Sequence, residues 1–316
     1  MVGGGSDNRH RQQQHSLRWR VEQLACTPSR AAGISAEDER VERFEACDFA
    51  RNLVRDLLNS EKAQEVQLCN DAQVLACYYL QLFYMFQSLT QENSRVVATA
   101  AAFLACKVID LPRRMRSLLK ALNQQRVKLG EAEFGEDEQR RTCEQVVRIE
   151  FMLLRIISFD FDLALPPAEL SRLTEKLLAA LATHSEAFQK ACAGRPPTTE
   201  ADAIRQELVR IAERFTFDSF MGLAPLLAPP RFVAAGALAI ATRYIRREMV
   251  MSELLQLLAS GDSSLSKEDM KHVIDEILNV FRTKNVRDAR RAAQITSGAS
   301  LARASSNSLA SSTCTQ

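Results

Sequence analysis

Imidazole, thiol and carboxylate groups are the side chains that most often do chemistry, and in this sequence they are scattered. The four histidines, His10, His15, His184 and His272, are joined by no Ser/His/Asp or Cys/His arrangement, no Gly-rich phosphate loop and no metal-ligand spacing. The eight cysteines occur singly, and no two stand at the two-to-four-residue spacing of zinc-ligand pairs. Cys77, Cys106 and Cys143 lie inside apolar runs, where a free thiol behaves as a small hydrophobe in a reducing compartment. The expectation is a chain with no cofactor, no metal and no reacting group of its own.

Two charged residues stand where charge is out of place. Lys107 ends the apolar run Val96 to Cys106, and Glu150 interrupts the stripe Cys143, Val147, Leu154, Ile157. A neighbouring stripe, Val146, Ile149, Leu153, Ile156, is wholly apolar. A lone carboxylate among apolar side chains is costly unless it is paired or hydrogen-bonded. Two readings are open. Glu150 forms an internal pair with Lys107 or an arginine, or it is the polar anchor of a surface on which another protein docks. Lys107 could equally do no more than complement a helix dipole.

The elements that position these residues read as helices. The chain has 316 residues, 46% of them hydrophobic, so it can bury a sizeable core. Glycine (11) and proline (9) are scarce, which disfavours turn-rich sandwiches and barrels. With 41 basic and 39 acidic residues the net charge is +2, too balanced for a protein that grips a phosphate backbone. No apolar run reaches the roughly 20 residues of a bilayer span, and the N-terminus lacks a signal-peptide core, so a soluble, non-exported chain is expected. Helical spacing predicts elements over Asp38 to Asn59, Asp71 to Leu89 with Asp71 as N-cap, and Asn93 (a cap) to Lys107. A short helix from about Pro112 to Asn123, a charged loop from Gly130 to Asp137 and a long helix from Glu138 to Ser158 follow.

The pattern then restarts, because RVVATAAAFLACKVI (Arg95 to Ile109) aligns without a gap on RFVAAGALAIATRYI (Arg231 to Ile245). That spacing is too long for a solenoid and implies a duplicated domain of about five helices per copy. The predicted organisation is a disordered extension over 1–37 with a docking patch around Trp19, Val21 and Leu24. Helical domains over 38–163 and 164–285 and a Ser/Ala-rich disordered tail over 286–316 complete it. The segment Thr183 to Glu200 reads as a polar loop. The basic run Arg282 to Arg291 reads as a solvated helix end or an import signal.

Four segments, in order, resemble the transcription-type cyclins of the T, K, L and C kind. They are LFYMFQSLTQ (Leu82 to Gln91), VATAAAFLACKVIDLPRRMRSLL (Val97 to Leu119), EFMLLRIISFDFDLALPPAEL (Glu150 to Leu170) and FDSFMGLAPLLAPPRFVAAGALAIA (Phe217 to Ala241). The resemblance implies an all-α fold of two tandem five-helix cyclin boxes. It also implies a non-catalytic regulatory subunit that binds and activates a cyclin-dependent serine/threonine kinase, acting in transcription and located in the nucleus, with a cytoplasmic share left open. The kinase-docking surface it implies carries over to Lys107, Val108, Ile109, Glu150, Leu154, Phe159 and Phe161. Further transcription or polymerase-associated partners are left open; neither membrane nor direct nucleic-acid binding is expected. Two positions depart from the family pattern: Leu82 stands where an arginine precedes FYM, and Ile109-Asp110 replaces an acidic pair. A TFIIB-like scaffold and a helical adaptor without a kinase are the competing readings, the first lacking here a cysteine ribbon and a basic surface.

Overall fold

The computed structural model describes residues 19–58, 63–161, 170, 172–176, 197–244 and 267–311. Every regular element among them is a helix. In chain order these are α1 (Val21–Ala25), α2 (Pro28–Ala31), α3 (Ala36–Leu58), α4 (Ala63–Phe86), α5 (Ser94–Val108), α6 (Met115–Lys128), α7 (Glu136–Ile156), α8 (Pro197–Ser219), α9 (Ala224–Leu227), α10 (Pro230–Tyr244) and α11 (Lys267–Ser311). None of the described helices is long and apolar enough to cross a membrane.

Helix α5 is the axle of the first bundle. The Asn93 side chain accepts the Arg95 N–H and caps its start, and Val97 through Cys106 are all buried. Alanines on every face let α3, α4 and α7 close in around it. Its counterpart α10 is also 15 residues long and also buried along most of its length, as the internal alignment requires. Around α10 a second core gathers Leu170, Leu173, Leu208, Phe232, Leu238, Val273 and Ile277.

Helix α4 begins two turns earlier than its sequence suggests. Asp71 lies inside it, accepting a hydrogen bond from the Gln67 amide at 3.0 Å instead of capping. Nothing in Ala63–Asn70 breaks a helix, since glycine and proline are absent there.

The two ends of the chain also differ from expectation. Residues 19–37 are folded onto the body: the Trp19 ring meets Phe86 edge to face at 5.4 Å, the Trp19 backbone N–H donates to the Leu226 carbonyl, and Leu24 is buried. The buried Thr27 hydroxyl donates to Glu39 at 2.7 Å, and the Ser29 hydroxyl accepts the Leu89 N–H at 3.0 Å. At the other end, α11 continues through the basic segment and past residue 285, where a disordered tail was expected to begin. Arg287 pairs with Asp48, Arg290 with Glu37 and Asp38, and Arg291 with Glu45, so α11 is clasped along the acidic face of α3. Arg287 also lies over the Phe44 ring at 4.7 Å. The expected loop over Thr183–Glu200 falls outside the described residues up to 196; from Pro197 the chain is already helical in α8.

A buried ion pair holds the seam. Arg43 and Glu39, each 2% exposed, are 2.7 Å apart on successive turns of α3. The Arg43 guanidinium also donates to the backbone carbonyls of Tyr84 and Gln81 at 2.6 and 3.2 Å. Leu82, where the resemblance called for an arginine, is fully buried among apolar groups; the guanidinium at this seam is supplied by α3. Gln81 passes the connection on, donating to the Met221 carbonyl at 2.8 Å. Next to it, Gly222 is pressed so closely against α11 that an added Cβ would stand 2.7 Å from a Val280 methyl.

Candidate functional site: a partner-docking edge

The two misplaced charges meet. The Lys107 ammonium donates to the Glu150 carboxylate at 2.5 Å across the packed helices α5 and α7, and it lies 4.1 Å from the centre of the Phe103 ring. The pair is asymmetric: the Lys107 side chain is 40% exposed and that of Glu150 11%. The pair is therefore internal and yet reaches the surface through its lysine. An ammonium has three donors, and the one spent on Glu150 leaves others free to meet an acceptor from outside.

Both helices end in the same unusual way, α5 just past Lys107 and α7 six residues after Glu150. At the end of α5 the Asp110 N–H donates to the Lys107 carbonyl and the Leu111 N–H to the Cys106 carbonyl. At the end of α7 the Ser158 N–H donates to Arg155 and the Phe159 N–H to Leu154. These are Schellman closures, which place one residue in the left-handed region. The closure of α6 uses Gly130 for this, at φ +78°. The two at the edge use Asp110 (φ +59°) and Ser158 (φ +54°), and Phe159 follows at +57°. Non-glycine residues held there carry strain, and such strain concentrates at functional positions.

The closures set out a row of apolar side chains in solvent. Phe159 and Phe161 are 57% and 43% exposed, and on the outer face of α7 Val147 and Phe151 are 43% and 62% exposed. Val108, Ile109 and Leu154 lie half-buried, packed against the first core. The structure therefore brings Lys107 and Glu150 into contact and sets Val108, Ile109 and Leu154 on the same two helices. Phe159 and Phe161 follow on the segment after α7. Phe151 and Val147 extend the edge upstream. Phe151 lies on neither apolar stripe read from the sequence, although Val147, Phe151 and Leu154 recur at four and three residues on a helix whose outer face is otherwise charged. Behind this edge burial, and after it the charge of Asp160, pushes the Tyr78 hydroxyl up to about 12.

Among the described residues no three His, Cys, Asp or Glu side chains are grouped to hold a metal. Burial pushes the thiols of Cys47 and Cys69 upward and that of Cys106 to about 11, which keeps them protonated and unreactive.

Residues 46–162 match the family described as "Cyclin, N-terminal domain". Cyclin pch1 of Schizosaccharomyces pombe is 25% identical over 86% of this chain and 71% of its own length. Cyclin-K of Homo sapiens is 24% identical over 73% of this chain and 34% of its own. Cyclin-T of Drosophila melanogaster is 28% identical over 48% of this chain, which spans only 12% of that protein. In fold, the chain resembles a chain of the yeast RNA Pol II CTD kinase CTDK-1 complex, with a TM-score of 0.57 at 15% identity over 84% of this chain and 72% of that one. It also resembles a chain of the Chaetomium thermophilum CAK complex, with a TM-score of 0.51 at 18% identity over 91% and 80%. Residues 46–162 thus carry a cyclin N-terminal domain within the all-α bundle turning on α5, and the chain is similar to cyclins of the T and K kind.

Proposed function

We propose that the chain is the non-catalytic regulatory subunit of a cyclin-dependent serine/threonine kinase that acts in transcription, and that it works in the nucleus. The observation that carries this reading is the edge itself, where an ion pair reaching the surface through Lys107 heads an exposed row of Val147, Phe151, Phe159 and Phe161. Fully burying one such phenylalanine against a partner contributes about 1.5–3 kcal/mol, while the remaining Lys107 donors fix orientation by capturing partner carbonyls. A helix of the kinase laid along this row would be held inward. In that position the kinase's own Lys–Glu ion pair and metal-binding aspartate are set for phosphoryl transfer. Lys107, Val108, Ile109, Glu150, Leu154, Phe159 and Phe161 form the contact surface in this proposal, joined by Phe151 and Val147.

The test is purification of the tagged chain from its native cells, identification of the co-purifying kinase, and assay of that kinase with and without the chain. A stoichiometric kinase that is activated by the chain, and neither bound nor activated by Phe151→Asp or Lys107→Glu, supports the proposal. Recovery without a kinase, or a kinase indifferent to the chain, refutes it.

A further inference from the structure

The stretch from Leu111 to Gly130 carries six basic residues, Arg113, Arg114, Arg116, Lys120, Arg126 and Lys128, and no acidic one. In a chain of net charge +2 this is a local concentration. Part of it has structural work: Arg126 pairs with Glu131 and Glu138, Lys128 with Asp56, and Arg113 donates to the Leu57 carbonyl. Arg114, Arg116 and Lys120 do none. All three are exposed, none forms an ion pair with a described residue, and the packed side of α6 is Leu118, Leu119, Ala121, Leu122 and Gln125. Arg116 and Lys120 are one helical turn apart and share a face. Arg114 immediately precedes the helix, a few residues beyond the Lys107 edge. The acidic loop that follows α6 begins at Glu131, at the opposite end of the helix.

We propose that this face docks a phosphorylated polypeptide segment. From Arg114 to Lys120 the free cations span only about 9 Å along the axis. That length suits one or two compact dianionic groups, whereas duplex DNA, with a charge every ~1.7 Å, calls for a long basic track. A phosphoserine or phosphothreonine offers about two charges and three acceptor oxygens, and a guanidinium meets such a group through two parallel N–H donors. The identity of the segment rests on the proposed role as a kinase subunit: a substrate already phosphorylated by the kinase would be held on the regulatory subunit and kept at high local concentration for the next transfer.

The test uses the full chain alone and a fluorescently labelled peptide carrying several phosphoserines, beside its unphosphorylated twin. Anisotropy is expected to show salt-sensitive binding of the phosphopeptide only, weakened at least about tenfold in the variant Arg114→Gln/Arg116→Gln/Lys120→Gln, since each charge-assisted contact is worth about that factor. These exposed substitutions are expected to preserve helicity; should the triple variant misfold, Lys120→Gln alone is expected to weaken binding by a smaller factor. Equal binding of both peptides, or unchanged affinity in the variants, overturns the proposal. Tighter binding of single-stranded RNA through the same three residues overturns it in favour of a nucleic-acid face. The triple variant should still co-purify with a kinase, so failure here is distinguishable from failure of the regulatory-subunit reading.

Discussion

Removing either partner of the Lys107–Glu150 pair is expected to have unequal consequences. In Lys107→Met the Glu150 carboxylate remains in a site where its side chain is 11% exposed, with no partner and little water. An abandoned buried charge of this kind costs about 2–3 kcal/mol, below the ~3–5 kcal/mol of a fully enclosed pair. In Glu150→Met the lysine, already 40% exposed, turns to solvent, and the loss is about 0–1 kcal/mol. The double variant removes both charges and should return to within about 1 kcal/mol of the parent, giving a coupling of about 2 kcal/mol. Urea denaturation of the isolated chain, followed by circular dichroism, measures all four corners of the cycle. If Glu150→Met proves as damaging as Lys107→Met, the carboxylate is not the dependent partner and the reasoning from burial fails. Kinase recovery gives an independent readout: the double variant, though stable, should have lost its kinase.

Three other outcomes are expected. Deleting residues 19–34 removes the buried Leu24, Thr27 and Ser29 and should lower stability by several kcal/mol; an unchanged melting temperature in calorimetry would show that this segment is not part of the fold. Ser158→Gly should raise stability by about 0.5–1 kcal/mol by relieving the left-handed backbone at φ +54°, net of the glycine's entropy; an unchanged or lowered midpoint in thermal melting would mean the turn is unstrained. Gly222→Ala should cost about 1–3 kcal/mol, because its methyl would press on a Val280 branch 2.7 Å away; a neutral result would show that α11 can yield.

Much of the bundle could be read from the order of residue types. Helix α5 announces itself by being apolar on every face behind a capping asparagine, and its repeat at α10 follows residue for residue. Lys107 and Glu150 were conspicuous for the same reason, charge set against apolar patterning, but the sequence left open whether they pair inwardly or face a partner. The structure answers the first half: they pair, and one member remains accessible. What periodicity could not reveal were contacts whose logic lies far along the chain. Arg287, Arg290 and Arg291 look like a solvated charge run until Glu37, Asp38, Glu45 and Asp48 are seen opposite them. Thr27 and Ser29 are polar and fall in the extension expected to be disordered, yet both are buried, bonded to Glu39 and the Leu89 amide. Asp71 reads as a cap but lies inside α4, because composition, not backbone, changes there.

The clasp between α11 and α3 also imposes an order of events on biosynthesis. Arg290 reaches back 253 positions to Glu37, so on a ribosome that adds about 5–20 residues per second the acidic face of α3 waits roughly ten to fifty seconds for its counterpart. During that interval the nascent first bundle presents Glu37, Asp38, Glu45 and Asp48 unpaired. A chain cut short before residue 287 would present them permanently, as a partly unlatched domain.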